Sequence, residues 1–140
     1  MGIISAIGND AGEVIDSLLN CRSGITWETL LDTAHRGEIP VAGIMAPNEE
    51  LFQQATPLPP GTYTRTSLLG IIAARQAVKQ AELENPAGRR TGLIAATTVG
   101  GMDRSEKFYK DFIVSPGRGR LRDIVGHDCG DGTERIARAL

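Results

Sequence analysis

T-G-L-I-A-A-T-T-V-G-G-M, residues 91–102, is the stretch that decides the predicted fold. Its apolar run, Leu93–Val99, is bounded by glycines, a pattern typical of a strand that is covered on both faces in a parallel sheet. The Gly100-Gly101 pair then predicts a turn before a helix that opens at Asp103. Ligands bind beyond the carboxyl ends of such strands, and glycine lets a substrate or a neighbouring backbone approach closely. The stretch therefore predicts an α/β fold with a pocket or an interface at this turn.

Two further segments are predicted strands. Gly2–Ile7 has the apolar character of a strand end, and Glu38–Met45 that of a strand in which Pro40 favours an edge or a strand start. Three strands are few for a parallel α/β domain. The sequence therefore predicts part of a larger protein.

Five helices are predicted from apolar periodicity and end signals. The first follows Asn9 or Asp10, either of which can cap it with a side-chain oxygen. The longest is apolar over so wide an arc that it should be largely buried. The later four are predicted at Pro47–Gln54, Thr64–Leu83, Asp103–Ile113 and from Thr133 to Leu140.

Composition narrows the class of protein. The chain has 140 residues, 41% of them hydrophobic, and a net charge of −2, so it can build a core and shows no global preference for nucleic acid or an anionic membrane. No apolar run approaches the ~20 residues of a membrane span. The N-terminus lacks the basic region of a secretory signal, so Cys21 and Cys129 are expected to be free thiols in the cytoplasm.

The segment G-H-D-C-G-D-G-T, residues 126–133, holds the second cysteine next to a histidine. Cys129 can be part of a structural loop, the wall of a substrate cavity, or a nucleophile or ligand, and the spacing leaves these open. A zinc site needs about four Cys or His ligands, and the chain has two of each. His127 follows Asp123 by four residues, which predicts a surface pair if the segment is helical. His35 is expected to be solvated.

Phosphate binding is not favoured at the glycine pair, because Gly100-Gly101 matches neither of the glycine-rich nucleotide motifs. No cofactor and no metal are predicted. Arg118, Arg120 and Arg122 alternate along a loop, which is either a solvated basic loop or a docking patch for an acidic partner.

Taken in order, five segments resemble the N-terminal part of the β-ketoacyl-acyl carrier protein synthases, the elongating condensing enzymes of the thiolase superfamily. The similarity spans nearly the whole chain, and the series is more specific than any one segment. The segments are G-I-I-S-A-I-G-N at 2–9, S-G-I at 23–25, T-R leading into the helix at 68–81, G-L-I-A-A-T-T-V-G-G-M-D at 92–103 and G-D-G-T-E-R-I-A at 130–137.

The resemblance implies a thiolase-type fold of two α/β halves, each with a mixed five-stranded sheet. Residues 1–140 would be an incomplete N-terminal half. The implied parent enzyme is an acyltransferase that performs decarboxylative Claisen condensation in fatty-acid, polyene or polyketide synthesis. Its expected partners are acyl carrier protein, acyl and malonyl thioesters and a second copy in a homodimer, with no nucleic acid, membrane or cofactor.

The resemblance also suggests roles for individual residues. Val99, Gly100, Gly101 and Met102 match the turn beside the acyl pocket, with Val99 at the position that limits chain length. Arg118, Arg120 and Arg122 match a region that meets the carrier protein. A second basic group is reduced to Arg65, because Gly61-Thr62 stands where further basic residues are expected.

No catalytic residue is assigned in this chain. The nucleophile of the family lies in a T-A-C-S/T turn, which this sequence lacks, and Cys129 does not match its context. The chain alone is therefore expected to be inactive. Two alternatives are a non-catalytic subunit similar to a chain-length factor and a small standalone α/β binding module.

Overall fold

Five α-helices form the secondary structure of the computed structural model, which describes residues 1–30, 32–83, 85–88 and 90–140. Single 3₁₀ turns lie at Pro86–Gly88, Pro116–Arg118 and Leu121–Asp123. The five predicted helices are confirmed, with shifted ends. Their bounds are Ala11–Leu19 for α1, Asn48–Ala55 for α2, Arg65–Gln80 for α3, Met102–Val114 for α4 and Cys129–Ala139 for α5.

Helix α1 begins where the sequence predicts it, because Asp10 caps it. The Asp10 side chain accepts a hydrogen bond from the backbone N–H of Glu13 at 2.9 Å. In return, Glu13 accepts from the backbone N–H of Asn9 at 2.7 Å, so two amides near the helix start are satisfied reciprocally. Val14 and Ser17 are the buried residues of this helix.

Helix α3 is capped by a pair of short polar side chains that are themselves buried. The backbone N–H of Thr64 donates to Ser67 Oγ at 2.9 Å, and the backbone N–H of Ser67 donates to Thr64 Oγ1 at 3.2 Å. One turn further on, Leu68, Ile71 and Ile72 are buried. The cap fixes the start of the helix at Arg65, one residue after the predicted start.

Helix α5 begins four residues before the predicted Thr133. Asp128 caps it by accepting a hydrogen bond from the backbone N–H of Gly130 at 2.9 Å. A glycine-rich run looks like a loop from propensity alone, and the cap outweighs that preference.

The predicted α/β fold is wrong. The structure is 48% helical and its described residues contain no sheet. They contain only two isolated antiparallel bridges, Ser5 with Gly8 and Thr26 with Val41. The thiolase-type mixed sheet is therefore absent, and the predicted strands Gly2–Ile7, Glu38–Met45 and Leu93–Val99 are all irregular.

A strand needs a neighbour for its backbone, and each of the three apolar runs finds something else. Ile3 donates its N–H to the Gln76 side chain at 2.9 Å, and Val41 pairs with Thr26 at 2.8 Å. Leu93–Val99 is left without a parallel partner, and Ile94 is 99% exposed. An apolar run gives the composition of a buried strand but cannot supply its partner.

The chain divides into two compact units. The first unit comprises residues 1–54 and 72–84, and the second comprises residues 55–71 and 85–140. Buried apolar side chains are few in both. Val14, Leu51 and Ile72 supply them in the first unit, and Ala55, Leu68, Ile71 and Ile136 in the second.

Candidate functional site

The Gly100-Gly101 turn is the most closely packed part of the second unit. Gly100 has a φ of +49°, a conformation that favours glycine, and both glycines are buried. The backbone N–H of Gly101 donates to the carbonyl of His127 at 3.4 Å. A Cβ at Gly101 would clash with the carbonyl oxygen of Gly126. The turn therefore requires glycine because a second stretch of backbone lies directly against it.

Thr64 supports this turn from the start of α3. Its Cγ2 methyl lies 3.1 Å from where a Cβ on Gly101 would be, and 3.4 Å from the same point on Gly126. Thr64 is itself held by the capping bonds with Ser67. The helix cap thus fixes a side chain that closes one side of the turn.

The four predicted substrate-binding residues divide into two buried and two accessible positions. Gly100 and Gly101 are buried, whereas Val99 is 49% exposed and Met102 is 44% exposed. Val99 accepts a hydrogen bond from the backbone N–H of Met102 at 3.0 Å, which closes the turn. The two apolar side chains flanking the glycines are thus available for contact with a ligand or a partner.

An open depression lies on the surface next to this turn. It is lined by Ile124, Val125, His127, Asp128 and Cys129. A Cβ on Gly100 would lie 3.3 Å from the sulfur of Cys129, so the glycine leaves room for the thiol. Cys129 is exposed and is the first residue of α5, not part of a loop.

His127 does not pair with Asp123, and that prediction is wrong. The segment is a single 3₁₀ turn, so the four-residue spacing does not place the two side chains together. Asp123 instead accepts from Arg104 of α4 at 3.6 Å, and His127 Nδ1 lies 2.8 Å from Ser105 Oγ. Both partners come from the same helix, so α4 holds the segment through two polar contacts. His35 is exposed, as predicted, and lies 3.1 Å from Glu38.

Three of the four predicted docking arginines lie on one loop. We call residues 115–123 the arginine loop. Arg118, Arg120 and Arg122 are all exposed on it and form no ion pair with the described residues. Arg65 is half-buried at the start of α3, where its backbone N–H donates to Asp103 Oδ2 at 3.0 Å. Arg65 therefore lies on a separate element.

Sequence analysis missed the pair formed by Asp131 and Arg135 on α5. Arg135 donates to both oxygens of Asp131, at 2.8 and 3.0 Å, and its guanidinium lies 5.4 Å from the centre of the Tyr63 ring. The hydrogen bond to Asp131 raises the pKa of Arg135 above its ordinary value, against the opposing effect of burial. The spacing of four residues between an acid and a base was the available signal.

Comparison with known protein families, with curated proteins and with solved structures found no match. None of the helices in the described ranges combines the length and the apolar character needed to cross a bilayer. The described residues also contain no group of three or more His, Cys, Asp or Glu side chains that could hold a metal ion.

Proposed function

We propose that this chain is the N-terminal portion of a 3-oxoacyl-acyl carrier protein synthase, a condensing acyltransferase. The parent enzyme would extend an acyl chain by decarboxylative Claisen condensation in fatty-acid or related polyene or polyketide synthesis, in the cytoplasm and as a homodimer. The proposal rests on the ordered series of five segments in the sequence. It does not rest on the thiolase-type fold, which the described residues lack.

The exposed arginines of the arginine loop support the part of the proposal that concerns the carrier protein. Acyl carrier protein is acidic, and a cationic patch without internal partners attracts and orients an acidic protein. The nearest carboxylate in the loop, that of Asp123, is occupied by Arg104. Arg118, Arg120 and Arg122 therefore keep their charge available for a partner.

The turn at Val99–Met102 supports the part of the proposal that concerns the acyl chain. Val99 and Met102 present apolar surface beside two buried glycines that cannot be enlarged without a clash. An acyl chain needs an apolar wall of fixed shape, and this turn provides one wall. The reaction itself would need a nucleophile that this chain does not supply.

Binding of acyl carrier protein tests the proposal directly. The full 140-residue chain is titrated into fluorescently labelled acyl carrier protein and followed by anisotropy at two salt concentrations. We expect binding that weakens with salt, because exposed charges are screened over about 8–10 Å. Reversing Arg118, Arg120 and Arg122 to Glu should lower the affinity at least about tenfold.

The matched control reverses three exposed basic residues of the first unit. Arg22, Arg36 and Lys79 change to Glu with the same change in net charge. Equal weakening by both triple variants would mean that only net charge matters, and no binding by the unchanged chain would refute carrier docking. The intact mass of the chain after incubation with acyl-acyl carrier protein should stay unchanged.

A further inference from the structure

We infer that the carrier protein is held by a surface with two parts, one cationic and one apolar, which together fit an acidic amphipathic helix. The cationic part is Arg118, Arg120 and Arg122. The apolar part is Phe112 and Ile113 of α4 together with Leu121. We call the two parts together the α4–arginine surface. This inference rests on the proposed function and adds the chemistry of the contact.

The two parts are joined physically, because the arginine loop packs on α4. Both 3₁₀ turns of the loop contact that helix. A Cβ on Gly119 would lie 2.7 Å from the Phe108 ring, so the loop backbone lies directly against this side chain. Phe108 in turn stacks on Phe112 with ring centroids 5.6 Å apart. Phe112 therefore extends the apolar surface from beneath the loop towards the end of the helix.

The apolar part is exposed to an unusual degree for large side chains. Phe112 is 40% exposed, Ile113 is 66% exposed and Leu121 is 75% exposed. Scattered apolar residues on a surface need no explanation, but a group of them next to a patch of one charge is typical of a binding site. Burial of these side chains against a partner would remove apolar surface from water.

Charge complementarity identifies the partner. The three arginines have no acidic partner in the described ranges, and the carboxylate of Asp123 faces Arg104. A fitting partner carries carboxylates for the arginines and apolar side chains for α4, which an amphipathic helix with an acidic face supplies. The acidic carrier protein of the proposed function has this chemistry.

The double variant Ile113→Ser with Leu121→Ser tests the apolar part. Both side chains are exposed, so the folded state should tolerate the change. We expect about a tenfold loss of affinity for acyl carrier protein, with the salt dependence unchanged, because the lost contact is apolar. The triple arginine reversal should instead lower both the affinity and its salt dependence.

The matched control is Leu19→Ser with Ile25→Ser in the first unit. These side chains are 79% and 66% exposed, so the control removes comparable apolar surface elsewhere. It should leave carrier affinity unchanged. If Ile113→Ser with Leu121→Ser has no effect while the arginine reversal weakens binding, the inference is refuted and the proposed function stands. If carrier protein does not bind at all, both fail.

Two further measurements separate other occupants of the α4–arginine surface. Sedimentation with vesicles of phosphatidylglycerol and phosphatidylcholine tests a membrane, and light scattering tests a second copy of the chain. Vesicle binding or self-association that is lost in the Ile113→Ser, Leu121→Ser variant, without any carrier binding, would overturn the inference. Carrier binding by a chain that remains dispersed and does not sediment with vesicles would support it.

Discussion

The two units of this chain differ in charge far more than the whole sequence suggests. The first unit has ten acidic and four basic residues, a balance of −6, and the second has seven acidic and eleven basic residues, a balance of +4. Together they give the net charge of −2. Net charge is an argument about association, and it applies to each surface separately. The total therefore conceals a cationic unit that suits an acidic partner.

The units also differ in how their parts are fastened. In the first unit, one side chain of α3 ties the N-terminal segment: Gln76 accepts from the N–H of Ile3 at 2.9 Å and donates to the carbonyl of Asn9 at 2.7 Å. In the second unit, backbone lies against backbone at Gly101 and Gly126. A hydrogen-bonded tie can lose one side chain at modest cost, whereas a glycine contact cannot gain even a methyl group.

The largest expected effect comes from Gly101→Ala. The added methyl would clash with the carbonyl oxygen of Gly126 and approach Thr64, so one of two backbone segments must move. Overpacking of this kind typically costs about 1–3 kcal/mol, and a backbone clash belongs at the upper end. Amide hydrogen exchange should show faster opening of the second unit, with the first unit unchanged.

Gly132→Ala is the matched control for this change. No atom lies within 4 Å of a Cβ at Gly132, which is inside α5. Alanine there should stabilise the helix by roughly 0.5–1 kcal/mol. If both substitutions shift stability in the same direction, the close approach at Gly101 does not govern the second unit.

In the first unit, Gln76→Ala should be the most damaging single truncation of a polar side chain. It removes both hydrogen bonds that hold Ile3 and Asn9, at about 0.5–1.5 kcal/mol each. Exchange of the Ile3 amide should accelerate, while amides of the second unit keep their rates. Lys79→Ala, an exposed position on the same helix, serves as the control. Unchanged exchange at Ile3 would show that Gln76 is not the tie.

Two acid–arginine pairs on α5 sharpen the description of the second unit. The side chains of Asp131 and Arg135 are each 17% exposed, whereas those of Glu134 and Arg138 are 59% and 67% exposed. Asp131→Asn should cost about 1 kcal/mol, and Glu134→Gln close to zero, because exposed pairs contribute little. Thermal unfolding compares them. Equal losses would mean that the stacking of Arg135 on Tyr63 adds nothing.

The direction of the Arg135 shift also fixes a pH dependence. Its pKa is raised in the folded state, so the stabilisation is fully present below the ordinary pKa of arginine and is lost only as pH rises beyond it. Between pH 7 and pH 10, the difference in stability between the chain and its Arg135→Lys variant should therefore stay constant in thermal unfolding. A difference that shrinks across this range would contradict the assignment.

The helices could be predicted from sequence because their signals are local. A cap such as Asp10 and an apolar stripe such as Leu68, Ile71 and Ile72 act within a few residues of each other. The sheet prediction failed because strand pairing depends on distant partners. Nothing in Leu93–Val99 itself determines whether another strand lies beside it.

Parts of the candidate site could be predicted for the same reason. The turn at Gly100-Gly101 and the exposed arginines follow from residue type, since glycine permits close approach and arginine prefers solvent. The contacts of His127 could not be predicted, because its partner Ser105 is 22 residues away on another helix. The four-residue spacing from Asp123 was misleading, since it has meaning only on a helix.

The smallest expected effect comes from the two helix caps, one in each unit. Asp10 bonds the amide three residues on and is reinforced by the return bond from Glu13 to Asn9, whereas Asp128 bonds the amide two residues on. Asp10→Ala should cost about 1 kcal/mol and Asp10→Asn close to nothing, because asparagine caps equally well. Asp128→Ala should cost less, since no acidic side chain reinforces its cap by a return bond among the described contacts. The measurement is the helical signal in urea unfolding together with amide exchange at Glu13 and Gly130. A greater loss at Asp128 would mean that the contacts of α5 with the glycine turn depend on its cap, and the difference in fastening between the two units would then lie in their helix ends as well as in their glycines.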